Sequence, residues 1–306
     1  MTRTFLARLY FFLLINASTI FFVVSATAQG PSKLFLHLGL TPAGTPTSAW
    51  REAIRDRHEE QELPNILAGA KKLSEEETQW AELITSKVVS WHGMIDSLRM
   101  PFENVIPPDS VRILLGNRGG GDAFTFAPRT ICFDLSELQR YYGAAKNEEN
   151  RTRMDRFFAH EFTHLMHKAW RTQRGVELKS SFEFALWECL TEGLGNYRSL
   201  SNKWLNEKHE LTPYAHEVLL RLQPIFVERL AALEHASAEQ TKILMTGLSS
   251  GPFEKKWGAL TTALWLAQEA RGDDRNLRIW VEAGPLGVLR LARKYLPESL
   301  QTQMPR

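Results

Sequence analysis

The spacing of apolar residues changes near residue 150 of this 306-residue chain, and this change limits the folds that the sequence can adopt. From about Asn150 onwards, apolar residues recur every three or four positions, which is typical of amphipathic helices. Residues 31 to about 105 are also predicted to be mostly helical. Only Val111 to Leu115 and Thr130 to Leu135 have the apolar, partly β-branched composition of strands. Few strands followed by many helices predict an α+β fold with one core, predominantly helical overall.

Local start and stop signals define several of these helices. Ser74 and Glu77 have the spacing of a capping box, which predicts a helix start. A second helix is predicted from Thr152 to Gln173, with Gly175 as the residue that ends it. A third is predicted from about Phe182 to Leu200, and further helices near 213–234, 237–247, 254–271, 275–282 and 285–296.

No linker-like stretch divides the chain into two domains. We expect a single domain over 29–306, with a mostly helical N-terminal part (31–105), a central part (110–200) and a helical C-terminal part (210–298). The glycine-rich segment 116–122 lacks the Lys-Ser/Thr ending of a phosphate loop. It is predicted to be a flexible connection between strands, with glycines that serve turn geometry.

The first 28 residues have the pattern of a secretory signal peptide. Arg3 and Arg8 precede an apolar run from Leu9 to Val24, which gives way to the small residues Ala26-Thr27-Ala28. We expect cleavage after Ala28 and therefore an exported protein, periplasmic or secreted, that does not associate with the membrane. An uncleaved membrane anchor is the alternative, because the apolar run is nearly long enough to span a bilayer.

Charge and cysteine content narrow the range of partners. The formal net charge is +2, and residues 1–28 hold Arg3 and Arg8 but no Asp or Glu, so the mature chain has a net charge of zero (+2 − 2). A neutral domain without a basic stripe gives no reason to expect nucleic acid as a partner. Cys132 and Cys189 are able to form a disulfide after export, but two buried thiols explain them equally well.

The segment His160-Glu161-Phe162-Thr163-His164 lies in the middle of a predicted helix. Residues four positions apart share one helix face, so both imidazoles are able to bind one ion. Zinc accepts neutral imidazole nitrogen and prefers four tetrahedral ligands. Glu161 is rotated by about 100° from His160, which places it beside the ion as a base for the attacking water. Two surface histidines on a solvated helix are the alternative, but large apolar neighbours favour a buried site.

A catalytic zinc site needs a third protein ligand, with the fourth position open. The next predicted helix offers Glu188 and Glu192, which are also four residues apart and share one face, so spacing alone leaves both open. Gly193 and Gly195 allow two helices to pack closely, and Gly193 directly follows Glu192. Glu188 has bulkier neighbours, which suit a hydrogen-bond partner of a ligand histidine better than a ligand.

The combined pattern resembles the gluzincin peptidases, in which H-E-x-x-H precedes a glutamate ligand in a segment like N-E-G-x-A-x-Y. The segment from Thr191 to Tyr197 (TEGLGNY) is similar to it. The resemblance covers about 110–200 and implies a zincin-like fold with a small mixed sheet and an active-site helix. It also implies that Thr130 to Leu135 is the edge strand along which an extended substrate lies. Beyond that region, the layout is similar to uncharacterised bacterial zinc-dependent peptidases.

The same resemblance implies a role for each residue of the motif. One Zn²⁺ per chain is held by His160, His164 and Glu192, and Glu161 is the catalytic base, with no other cofactor. The gap between His164 and Glu192 is longer than in thermolysin-like relatives, so residues 171–181 are expected to form an extra loop.

Two features of the family have no clear counterpart in the sequence. Gluzincins often place a Tyr or His opposite the zinc, where it binds the oxyanion. Tyr197, Tyr214 and His216 are the candidates, and none is assigned. His167 does not extend the metal motif and is expected at the surface or as the partner of a ligand.

These features predict a zinc-dependent peptidase whose partner is a peptide or protein substrate. An endopeptidase is favoured over an exopeptidase, because nothing in the sequence identifies a group that captures a substrate terminus. A zincin-like protein that only binds a partner or has a structural role is the alternative. The complete set of His160, Glu161, His164 and Glu192 argues against that alternative.

The mature chain is expected to begin at Gln29, because the small residues before it have the spacing that signal peptidase cleaves. N-terminal sequencing or the intact mass of the exported protein measures this directly. Recovery of the full-length chain in the membrane fraction would show an uncleaved anchor instead.

Overall fold

The structure is a computed structural model that describes residues 32–305, so the predicted signal peptide (1–28) lies outside the described residues. These residues form an α+β fold that is predominantly helical and contains one small mixed sheet, which confirms the predicted fold class. Within the described range, no helix combines the length and the apolar character that crossing a membrane requires.

Four short strands form the sheet, in the order β1-β2-β4-β3. Their bounds are β1 (Lys33–Leu38), β2 (Ser110–Gly116), β3 (Ala123–Phe126) and β4 (Thr130–Asp134). β1, β2 and β4 run parallel, with Ile113 of β2 opposite Leu36 and Ile131, whereas β3 is antiparallel to β4.

Two of the strands correct the expectations from sequence. β1 lies in a part of the chain predicted to be mostly helical, and β3 lies directly after the glycine-rich segment. The sequence of β1, KLFLHL, has no β-branched residue, so pairing with β2 and not local propensity makes it a strand. β2 and β4 confirm the two strands that were predicted.

The expected position of the Thr130 to Leu135 strand at the sheet edge is wrong. β4 lies between β2 and β3, and all five of its residues are buried. β3 is the edge strand on this side of the sheet. Leu135 is not a strand residue but the first residue of a helix, because the Asp134 carboxylate accepts hydrogen bonds from the backbone N–H groups of Ser136 and Glu137 and ends the strand.

Helices make up most of the described chain. The α-helices are α1 (Ser48–Arg55), α2 (Leu63–Gly69), α3 (Glu75–Leu98), α4 (Leu135–Tyr142), α5 (Glu148–Arg174), α6 (Ser181–Ser199), α7 (Pro213–Leu233), α8 (Ala238–Met245), α9 (Ala259–Ala270), α10 (Arg278–Glu282), α11 (Leu286–Tyr295) and α12 (Glu298–Gln301). Short 3₁₀ helices span Met100–Phe102, Ala127–Arg129, Phe253–Lys255 and Asp274–Leu277.

The predicted helix signals have the expected geometry. Glu77 N donates to Ser74 Oγ at 3.2 Å and Ser74 N donates to Glu77 Oε2 at 2.9 Å, so the capping box of α3 is complete. Gly175 ends α5 with φ 61° and ψ 33°, the left-handed conformation that glycine adopts easily. Because α5 continues to Arg174 and α6 begins at Ser181, the loop expected at 171–181 is only 175–180.

Both faces of β4 are buried, which is typical of a central parallel strand, whereas β1 is largely exposed. Ile113, Leu115 and Phe133 face the main core, which also contains α3, α5, α6 and α9. Leu114 and Cys132 point to the other face, where they pack with Trp50 of α1 in a smaller cluster. α5 lies against α3 through the rings of Trp91 and Phe158, which are stacked with centroids 4.5 Å apart.

The glycine-rich segment 116–122 is anchored and is not the flexible connection that was expected. A Cβ on Gly116 would lie 2.2 Å from the Trp50 ring, so only glycine allows this contact. Asp134 Oδ2 accepts hydrogen bonds from the backbone N–H groups of Gly119 and Gly120. One carboxylate therefore holds this segment and also caps α4.

Replacement of Ser74 by Ala is expected to lower the free energy of unfolding by about 1 kcal/mol, because it removes the side-chain acceptor of the capping box. Urea denaturation measures the change. Ser86→Ala is the matched control, since Ser86 is exposed in the middle of α3 and Ala is a better helix former. Equal stability of the two variants would contradict the role of the cap.

Candidate metal centre

α5 and α6 bring the three predicted metal ligands together. The Nε2 atoms of His160 and His164 lie 2.8 Å apart. The Glu192 carboxylate has one oxygen 3.8 Å from His160 Nε2 and the other 3.4 Å from His164 Nε2. We call these three residues the His–Glu cluster.

The spacing of the His–Glu cluster fits one small ion. Ligand atoms at 2.0–2.1 Å from a tetrahedral zinc are about 3.3 Å from each other. The observed separations of 2.8, 3.4 and 3.8 Å lie on both sides of this value. The donor set, two imidazoles and a carboxylate, is also one that zinc accepts.

The histidines are neutral, as metal ligands must be. Burial and the neighbouring His164 lower the pKa of His160 to about 3, and burial followed by the charge on Lys168 lowers the pKa of His164 to about 3. The Ser199 hydroxyl lies 3.1 Å from His160 Nδ1 and 3.4 Å from Gly195 O. In the tautomer with the proton on Nδ1, His160 donates to this hydroxyl and directs its Nε2 lone pair at the cluster.

In the described part of the chain, His164 has no hydrogen bond that corresponds to the one between His160 Nδ1 and Ser199. Its Nδ1 is buried and has no hydrogen-bond partner among the described residues. Away from the cluster this ring is held by packing, close to Gly195, where a Cβ would lie 2.9 Å from His164 Cε1 and 2.8 Å from His160 Nε2.

The two glycines of α6 allow the close helix packing that was expected, but only Gly195 faces the histidines. Gly195, and not Gly193, is the residue whose missing side chain makes room for the histidines. Gly193 faces the opposite side, where a Cβ would lie 2.6 Å from Thr262 Cγ2 of α9. Close packing of α6 is therefore required on both sides, against α5 and against α9.

Glu161 lies beside the histidines. Its carboxylate is within 4.8 Å of a ring nitrogen of His160 and of His164, and the residue is only 6% exposed. Burial and the negative charge of Glu192 raise the pKa of Glu161 to about 8. A bound divalent cation would lower the pKa of Glu161 and favour its ionised carboxylate.

Glu188 and His167 lie outside the His–Glu cluster. No hydrogen bond joins Glu188 to either ligand histidine within the described chain, and burial followed by the Glu192 charge raises its pKa to about 7. The expected surface position of His167 is wrong, because it is fully buried. Its Nδ1 lies 2.9 Å from Thr191 Oγ1, and its ring stacks on Trp187 at 4.1 Å between centroids.

None of the three candidates for the oxyanion donor lines the cleft at the cluster. The Tyr197 hydroxyl donates to Asp274 Oδ1 at 2.8 Å. Tyr214 packs on Trp204, with centroids 5.2 Å apart, and His216 is exposed on α7. These residues remain without a role in the site.

The cleft has a volume of about 1110 Å³ and contains the His–Glu cluster and Glu161. The edge strand β3 forms part of its wall through Ala123, Phe124 and Thr125. Asn196 also lines the cleft, is 1% exposed, and has an Nδ2 without a partner among the described residues. Sequence reasoning missed Asn196, although its position four residues after Glu192 places both on one face of α6.

The two cysteines are separate. Cys132 on β4 and Cys189 on α6 are buried free thiols, so the structure contains no disulfide between them.

Replacement of Glu192 by Ala is expected to strip zinc at neutral pH, because two histidines alone would remain. Glu188→Ala is the matched control and should change zinc affinity little, since Glu188 contacts neither ligand ring. Zinc titration of both proteins measures the difference. Normal affinity in Glu192→Ala together with loss in Glu188→Ala would reverse the assignment.

Among known proteins, no family model, no curated protein and no solved structure matches this chain. The resemblance to gluzincin peptidases therefore stays a prediction. The functional proposal rests on the residues of the cleft and on their geometry.

Proposed function

We propose that this chain is an exported zinc-dependent peptidase that hydrolyses peptide bonds. The observation that carries the proposal is the convergence of His160, His164 and Glu192 at one point of an open cleft, with the buried carboxylate of Glu161 beside them. The peptidase assignment includes the zincin-like fold, for which the active-site helix α5 and the mixed sheet give support.

His160, His164 and Glu192 would hold the metal. A bound zinc supplies a Lewis acid that polarises a carbonyl group and lowers the pKa of water. Glu161 is placed to accept a proton from the attacking water and to pass it to the leaving amine. Its burial among apolar residues strengthens both its basicity and its interactions with charged neighbours.

The outer edge of β3 provides a binding surface for an extended substrate. As an edge strand it has backbone N–H and C=O groups that no other strand of the sheet pairs, and its residues line the cleft. An extended peptide is able to add to such an edge by backbone hydrogen bonds. This arrangement suits a substrate that continues in both directions, and so an endopeptidase.

Asn196 is the residue of α6 best placed to donate a hydrogen bond to the reacting carbonyl oxygen. Its Nδ2 has no partner among the described residues, and a buried N–H group without a partner costs about 1–3 kcal/mol. A substrate oxygen would provide that partner.

A zincin-like protein without catalytic activity is the second candidate. The observation that favours it is the lack of Tyr197, Tyr214 and His216 from the walls of the cleft. The retention of Glu161 beside the His–Glu cluster argues against it, because metal binding alone does not need that carboxylate.

Replacement of Glu161 by Gln is expected to leave zinc near one equivalent per chain and to abolish turnover. Loss of a positioned general base costs about 10²–10⁴ in rate. His160→Ala should lose the metal instead. Metal analysis and a broad peptide-cleavage screen measure both effects.

Glu148→Gln is the control for this experiment, since Glu148 is an exposed residue of the first turn of the same helix. It should keep both metal and activity. Full activity of Glu161→Gln on a cleaved peptide would show that the assigned base is wrong.

A further inference from the structure

The metal cleft is more positively charged than the rest of the protein. Its cationic residues are Arg57, Arg153, Arg156, Lys168, Lys203 and Lys256. Its acidic residues are Asp122, Glu161, Glu192 and Glu254. The formal charge of the cleft is therefore +2 (6 − 4), before any metal is counted, whereas residues 29–306 together have a net charge of zero. A cleft lined mostly by one sign of charge attracts ligands of the other sign.

Two of these cations already have carboxylate partners. Arg153 pairs with Glu149, and Lys203 pairs with Glu254 at 2.6 Å. For the other four, no carboxylate oxygen lies within 4.0 Å anywhere in residues 32–305: Arg57, Arg156, Lys168 and Lys256.

The acidic residues of the cleft have other partners or positions and form no ion pair with these four cations. The Asp122 carboxylate accepts a hydrogen bond from the Tyr142 hydroxyl at 2.6 Å. Glu192 and Glu161 lie at the metal position. No acid among residues 32–305 therefore forms an ion pair with these four cations, although Glu161 lies near enough to Lys168 and Arg57 to interact with their charges.

Arg156, like Lys256, is not fully exposed and lacks a carboxylate partner among residues 32–305. It is half-buried, and its only hydrogen bond within the described chain is donated by Nη1 to Thr152 Oγ1 at 3.2 Å. Burial and the nearby charge of Arg153 lower the pKa of Arg156. A guanidinium with reduced hydration binds a carboxylate strongly and often through two hydrogen bonds.

Two of the four unpaired cations lie on α5, one on each side of the proposed metal position. Arg156 is four residues before His160, and Lys168 is four residues after His164. At 1.5 Å per residue, each cation lies about 6 Å beyond its histidine along the helix axis, and the two are about 18 Å apart.

The edge strand β3 runs along α5 in the same direction. Its N-terminal neighbour Asp122 is bonded to Tyr142, whose ring lies under Arg153, and Thr125 accepts a hydrogen bond from Lys168 at 2.8 Å. An extended peptide along β3 rises about 3.3 Å per residue, so about five residues span the distance from Arg156 to Lys168.

We propose that the cleft selects acidic peptides, with carboxylates that lie on both sides of the cleaved bond and about five residues apart. Arg156 binds the carboxylate on one side and Lys168 the carboxylate on the other. Asp and Glu side chains supply these groups, or the substrate's own C-terminal carboxylate supplies one of them. The proposal deepens the peptidase function and rests on it.

Binding to the zinc-loaded Glu161→Gln protein tests the proposal without turnover. The probes are labelled peptides of about ten extended residues, with Glu at two positions five residues apart or with Gln at both, each with a free or an amidated C-terminus. Fluorescence anisotropy is expected to show about tenfold tighter binding of the Glu peptide, falling as salt is added. Equal affinity for the Glu and Gln peptides would overturn the proposal.

Variants of Arg156 and Lys168 test whether these two cations cause the preference for the Glu peptide. Arg156→Gln and Lys168→Gln should each reduce the preference for the Glu peptide and leave the affinity for the Gln peptide unchanged, which also shows that the cleft is folded. Arg151→Gln is the control, since Arg151 is an exposed residue of α5 outside the cleft. Equal weakening of both peptides would assign the cations a structural role and contradict the proposal.

Two further comparisons identify which negatively charged group of the ligand the cleft binds. Loss of the preference on amidation would identify the C-terminal carboxylate as the bound group, and its retention would identify the side chains. A single-stranded oligonucleotide that competes as well as the Glu peptide would overturn selection for peptide.

The outcome also separates this inference from the proposed function. Selective binding of the Glu peptide without any cleavage by the wild-type protein would leave the charge selectivity standing and refute the peptidase. Cleavage of both peptides at equal rates would refute the selectivity and leave the peptidase standing.

Discussion

Burial of α5 between three neighbours is the constraint on which the rest of the site depends. α3 packs on it through Trp91 and Phe158, the sheet covers another side, and α6 approaches until the backbone of Gly195 touches the histidine rings. The face of α5 that carries His160 and His164 is thereby enclosed on a rigid element, and its polar groups lose water. That loss keeps His160 and His164 neutral and makes Glu161 a stronger base. The same packing therefore determines both the geometry and the chemistry of the cluster.

Much of the helical structure could be predicted from sequence because its signals are local. The capping box at Ser74, the end of α5 at Gly175 and the span of α6 follow from residues that are neighbours in the chain. The strands β1 and β3 could not be predicted in this way. Each is short, and each is a strand because of the strand beside it, β2 or β4, which lies far along the chain or across a turn. The order of strands, and with it the identity of the edge strand, has no local signal at all.

The candidate site was likewise predictable only where its residues are neighbours in the sequence. His160, Glu161 and His164 lie on one helix, so their spacing was sufficient to predict that they meet. On the next helix, spacing left Glu188 and Glu192 both open, and the resemblance favoured Glu192. The remainder of the cleft is assembled from separate elements: Arg57 follows α1, and Lys256 precedes α9. No spacing rule relates such residues, and the neutral overall charge concealed their concentration around one cavity. The buried position of His167 was missed for a similar reason, since the aromatic ring that covers it comes from α6.

The close approach of Gly195 also bears on the size of ion that the His–Glu cluster would accommodate. The wall on this side of the histidines is main chain, which is not able to swing aside as a side chain does. α6 is held from behind as well, where Gly193 meets Thr262 of α9. The two helices are therefore not free to separate, and the room for an ion is fixed by the backbone. A small cation with bonds of about 2.0–2.1 Å would suit such a space, whereas calcium, with bonds of about 2.3–2.6 Å and six to eight oxygen ligands, would not. Under the proposed metal binding, discrimination by size would be a property of the helix packing and not only of the ligand atoms.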